Sequence, residues 1–158
     1  MRIRDKVKKP QRPVVAYEIL PPREKDGTLN SYAKTISSLL SQTHIDAINI
    51  PEVHDEIGRG DRPVTNQKRG EPREFGMLLQ NIVGIEAIIN RVVVHKPYDE
   101  QIRWIEETNT AYEIENMIIV GGESSKVDYS GPTVNEMLQT IARGYNSNGG
   151  DIFCGGIA

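Results

Sequence analysis

The chain has 158 residues, 37% of them hydrophobic and 26% charged, with a formal net charge of −3. That length suits one domain with a sizeable core. The slight acidity disfavours nucleic-acid binding, which draws on a basic excess, and no apolar run reaches the roughly 18–20 residues of a membrane span.

In chain order, Met1–Pro13 is basic with no apolar segment behind it. It reads as a flexible N-terminal arm, not a secretory signal. Val14–Leu20 reads as a strand stopped by Pro21-Pro22, because proline supplies no ladder donor. Leu29, Tyr32, Ala33, Ile36, Leu39 and Leu40 recur at helical spacing behind Thr28, a fitting N-cap. Ala47–Ile50 is a short strand ended by Pro51. Residues 52–72 carry charge, Gly and Pro without apolar periodicity, and a loop of that length is usually functional or disordered.

Phe75, Leu78, Leu79 and Ile82 predict the next helix, and Ile88–His95 the third strand. Ile102 and Ile105 mark a helix that starts after Pro97. Asn116–Val120 is a fourth strand stopped by Gly121-Gly122. Thr133 through Glu136 fits a capping box, followed by Val134, Met137, Leu138 and Ile141 on a helix. Ile152–Cys154 opens a fifth strand, with Gly155-Gly156 after it. Cys154 is the single cysteine, so no internal disulfide forms, and a cytoplasmic protein is predicted.

Strands alternating with helices predict an α/β fold with parallel pairing, because parallel strands need a crossover. Two architectures fit. The preferred one is a (β/α)8 TIM barrel, of which residues 14–158 are the N-terminal part, about the first five strands, the chain stopping before the barrel closes. The alternative is a doubly wound parallel sheet, which usually ends on a helix that this chain lacks. Five strands of a barrel would leave bare edges, so a homo-oligomer or a partner subunit is expected.

Glu18 is the most informative polar residue. Side chains alternate along a strand, so Glu18 shares a face with Val14 and Ala16. A carboxylate buried among apolar neighbours holds its proton, which suits a general acid. The competing reading is a strand-end glutamate paired with Arg23 or Lys25. Asn49, His95, Gly121-Gly122-Glu123 and Gly155-Gly156 fall at or after other strand ends, the side on which barrel active sites lie. Local hydrogen bonding and plain turn chemistry are the alternatives there. Arg59, Arg62, Lys68, Arg69 and Arg73 would make a basic lid for an anionic ligand tail, or a solvated loop. His54 beside Glu52 and Asp55 lacks metal-site spacing, and no metal is predicted.

Tyr17-Glu18-Ile19-Leu20-Pro21-Pro22 resembles the Phe-Glu-Phe-Phe-Pro-Pro signature on the first strand of methylenetetrahydrofolate reductases. Asn116 through Glu123, ending Ile-Ile-Val-Gly-Gly-Glu, resembles that family's fourth-strand segment, and Asp151 through Gly156 its fifth. The resemblance implies a (β/α)8 barrel of one-carbon metabolism, an oxidoreductase that uses FAD to reduce a folate at the strand C-termini. It implies that Glu18 is the catalytic acid and that Glu123 lies near flavin and folate. The implied substrate-binding set is Glu18, Asn49, Glu52, His95 and Glu123, and the cofactor-binding set is Gly121, Gly122 and Gly155. The chain departs from the family's Arg at Gly121 and from its Tyr at Ile157, so flavin binding is expected to be weak or absent. The alternative function is a flavin-free protein or subunit that binds a reduced folate or another pterin. Neither nucleic acid nor a membrane is an expected partner.

Overall fold

Short runs rich in Ile and Val form the three central strands of the computed structural model, which describes residues 2–53, 68–122 and 128–157. The elements are α1 (Ile3–Lys8), β1 (Ala16–Glu18), α2 (Leu29–Leu40), β2 (Ala47–Pro51), α3 (Pro72–Val83), β3 (Glu86–Val92), α4 (Tyr98–Thr110), β4 (Asn116–Val120), α5 (Val134–Thr140) and β5 (Phe153–Ile157). A π-helical turn, Ile141–Tyr145, prolongs α5. Local chemistry sets the helix ends. Thr28 Oγ1 accepts the Ser31 N–H at the start of α2. Gly84, at φ 72°, ends α3, because only glycine enters the left-handed region freely. The predicted Thr133–Glu136 capping box opens α5. No helix among the described residues is long and apolar enough to cross a membrane.

The five strands form one all-parallel sheet in the order β1-β2-β3-β4-β5. A doubly wound sheet reverses its strand order at a switch point. No reversal occurs among the described strands.

Helices α2 to α5 cover one face. Ile48, Ile50, Ala87 and Ile89 pack against Ala33, Leu40, Phe75 and Leu79 in one cluster. Met117 and Ile119 pack with Ile105, Met137, Ile141 and Ile152 in a second, and Trp104 touches both. Burying each of the larger side chains contributes about 1.5–3 kcal/mol. The opposite face carries three rows set by the register. Glu18, Asn49, Ile88, Asn116 and Phe153 form the first; Pro51, Asn90, Ile118 and Gly155 the second; Val92, Val120 and Ile157 the third. Ile157 is 56% exposed.

The structure corrects the sequence reading in four places. The expected arm over 1–13 contains α1, which lies across the N-terminal ends of the strands. Arg2 pairs with Glu115 at 2.8 Å and Asp151 at 3.1 Å, Arg4 pairs with Asp151, and the Ile3 N–H donates to Glu86. Lys6 and Arg12 reach Asp46 at 2.9 and 2.7 Å. Each acid stands at or just before a strand start, and Ile3 is buried beneath them. The backbone N–H of Val15, then Lys6 and Arg12, hold the Asp46 carboxyl well below the usual carboxylate range. A six-residue helix held by ion pairs leaves no apolar period to read.

Secondly, β1 is short, and Ala16, Tyr17 and Glu18 are exposed, so the expected burial of Glu18 is absent. Thirdly, β3 starts at Glu86 and ends at Val92, leaving His95 beyond it. Fourthly, Gly155 and Gly156 lie inside β5, not after it. A β-carbon at Gly156 would stand 2.7 Å from Val134 and 2.9 Å from Leu138. Glycine there lets α5 lie flush on the strand.

Candidate functional site

Parallel α/β sheets present ligands with the carboxyl ends of their strands, and α1 closes the other end here. At the C-terminal end of β1, Glu18 Oε2 accepts a hydrogen bond from Asn49 Nδ2 at 3.1 Å across the β1–β2 pair. This bond decides how the Asn49 amide lies. Its Oδ1 is left buried without a hydrogen-bond donor, and so is Oδ1 of Asn90 on β3. An orphaned buried acceptor costs about 1–3 kcal/mol, and such groups call for an explanation.

Glu52 follows β2 and is committed to the next strand. It pairs with Arg91 and accepts the Val92 N–H at 3.0 Å. Arg91 also donates Nε to Gln101 Oε1 at 2.8 Å, and Gln101 donates to Val93 O at 2.7 Å. The Arg91 guanidinium lies 4.4 Å from the Trp104 ring centroid, and that of Arg73 lies 4.7 Å from the same ring. Trp104 thus stacks with two cations, and Glu52 braces β2 to β3.

The residues 128–132 fold over the ends of β3 and β4. Gly131 N–H donates to Val94 O at 2.9 Å. The Tyr129 ring stands 5.5 Å from that of His95, centroid to centroid, and fills the space beside Gly122, where a β-carbon would lie 2.1 Å from it. Gly121 N–H donates to Ile157 O at 2.9 Å. Gly155 has open space beside it. Glu123 lies outside the described residues, as do His54, Asp55, Glu56, Arg59, Asp61 and Arg62. The described part of the basic loop is occupied internally: Lys68 pairs with Glu24 at 2.8 Å, Arg69 donates to Pro21 O at 2.7 Å, and Arg73 pairs with Glu71 and Glu107. Burial pushes the Cys154 thiol up, against a nucleophilic role.

The structure therefore joins Glu18 to Asn49 and gives Glu52, His95 and Gly122 internal partners. Gly121 and Gly122 do not fit a flavin. Gly121 offers no side-chain donor, its N–H is used within the β4–β5 ladder, and Tyr129 occupies the space at Gly122. Sequence reasoning missed Asn90, Arg91 and Tyr129. The signal available was the polar pair Asn90-Arg91 inside an otherwise apolar strand.

The chain matches no protein-family model and no curated protein. Its structure is similar to that of an uncharacterized protein from Clostridium thermocellum described as binding two copies of 5-methyl-5,6,7,8-tetrahydrofolic acid. The TM-score is 0.67 at 15% identity, over 99% of this chain and 48% of that one. The likeness is one of fold. This chain spans about half the length of that protein.

Proposed function

We propose that this chain is part of a (β/α)8 barrel that binds a reduced folate at the C-terminal ends of its strands, with Glu18 anchoring the pterin ring. The unreversed strand order supports the barrel, and the likeness to a protein of about twice the length described as binding 5-methyl-5,6,7,8-tetrahydrofolic acid supports the ligand. The observation that carries the binding site is the Glu18–Asn49 pair. An ionised carboxylate accepts about four hydrogen bonds, so Glu18 keeps capacity for the ring N–H and amino group of a pterin after taking one bond from Asn49.

The resemblance to methylenetetrahydrofolate reductases favours a second reading, in which Glu18 is the acid of a reductase. Its acceptance of the Asn49 Nδ2–H favours the anchoring reading. The residues around Gly121 and Gly122 do not fit a flavin, and no hydride step is assigned.

Calorimetric titration of 5-methyltetrahydrofolate into the wild-type chain and Glu18→Gln separates the readings. A hydrogen bond to a charged group contributes about 1.5–3 kcal/mol, so affinity should fall by about 10- to 150-fold. Equal affinity in the two proteins would remove Glu18 from the site. Turnover of methylenetetrahydrofolate with a nicotinamide donor, lost in Glu18→Gln while folate affinity is kept, would favour the reductase.

A further inference from the structure

Asn90 stands apart from the residues that the resemblance implicates, yet it shares their sheet face. It pairs in register with Pro51 and Ile118, one row beyond Glu18, Asn49 and Ile88. With strands about 4.8 Å apart and about 3.3 Å of rise per residue, the Cα atoms of Asn49 and Asn90 lie about 8 Å apart along a diagonal of that face. Both carry an Oδ1 that is shut from solvent and meets no donor. Ile88 and Ile118, half-buried, flank Asn90, and apolar walls with a few placed polar groups are the usual make-up of a small-molecule site.

The buried, unmet polar atoms of this trio are acceptors. Glu18 accepts, and the Asn49 amide hydrogen that meets it is already spent. The two orphaned oxygens also accept. Such a face favours a ligand that presents N–H groups to it.

We infer that Asn90 is a further ligand-binding residue, and that Glu18, Asn49 and Asn90 together form an acceptor face that reads the N–H and amino edge of a 2-aminopyrimidinone ring. The inference rests on the folate reading and deepens it. Glu18 takes the two neighbouring donors of the pyrimidinone, and Asn90 takes an outlying ring N–H. The terminal torsion of asparagine is broad, so a modest turn brings Oδ1 to a ring lying over Ile88 and Ile118. In the free protein the same oxygen is a standing cost, which ligand binding relieves.

The test is Asn90→Leu, of similar shape and without the acceptor, with Asn90→Asp, which keeps one. Each full chain is melted without ligand and titrated with 5-methyltetrahydrofolate. For Asn90→Leu the melting temperature is expected to rise by about 2–4 °C while affinity falls by about tenfold. Asn90→Asp is expected to retain affinity within about threefold. Unchanged affinity in Asn90→Leu overturns the inference while leaving the folate reading intact. A lower melting temperature in Asn90→Leu also overturns it, since the oxygen then has a structural partner. A wild-type chain that binds no reduced folate overturns the folate reading and this inference with it.

Discussion

Arg91→Met tests whether Glu52 is a brace or a ligand contact. Arg91 is 8% exposed and Gln101 is fully buried. Methionine keeps much of the stem but removes every donor. Gln101 Oε1 then loses the Nε–H that it meets at 2.8 Å, Glu52 loses its cation while keeping the Val92 N–H, and Trp104 loses one of its two stacked guanidiniums. Removing one partner of a buried ion pair costs about 3–5 kcal/mol. The orphaned amide and the lost cation–π contact belong to the same network, so they are not added separately. At about 2–4 °C per kcal/mol for a chain of this size, the melting temperature should fall by roughly 6–20 °C. Differential scanning calorimetry with urea melts reads it. Combining Arg91→Met with Glu52→Gln should recover at least about 1 kcal/mol, the signature of coupled residues. A loss below about 1 kcal/mol in Arg91→Met, or strictly additive losses in the pair, would refute the brace.

Two further outcomes are expected. Asp46 and Asp151 are held below their ordinary values, Asp46 by the Val15 N–H and then Lys6 and Arg12, Asp151 by Arg4 and Arg2. Groups depressed in the folded state stabilise it above the unfolded carboxyl value of about 3.9, and that stabilisation drains away as pH falls below it. Acid should therefore free α1 first, seen as early loss of amide protection at Lys6 and Lys9, and Asp46→Asn should remove most of that pH dependence. Gly131→Ala should be poorly tolerated, since its β-carbon would stand 2.5 Å from the carbonyl oxygens of Val93 and Lys96. Backbone cannot swing aside as a side chain can, and a cost of about 1–3 kcal/mol is expected in a thermal melt.

Much of the fold was legible because its signals are local. Thr28 and the Thr133–Glu136 box mark helix starts through hydrogen bonds made within a turn, and Pro97 marks one through its fixed backbone angle. The apolar runs of β2 and β4 ended where Pro51 and Gly121 end them. What escaped depends on partners far away in sequence. The helicity of α1 rests on acids at four strand starts, and the glycine pair of β5 read as a turn because the helix lying against it is invisible in a local window. Of the candidate site, the Glu18–Asn49 pairing follows from two strand ends meeting in register. The burial expected for Glu18 fails because no described element covers β1 on that side. Glu52 reads in sequence as a substrate contact because Arg91, which it pairs with, lies 39 residues on.

The docking of α1 also orders events in time. Each strand pairs with the strand next in sequence, so the sheet can grow as the chain emerges. The α1 bonds span 113 residues to Glu115 and 149 to Asp151. Contacts of such separation carry a large loop-closure cost and form late. During synthesis, which runs at about 5–20 residues per second, Ile3 and its basic neighbours therefore stay undocked for many seconds. Helix α1, made before the strands whose acids hold it, is thus seated after them, and a nascent chain stalled before Asp151 should expose that segment to proteases and chaperones.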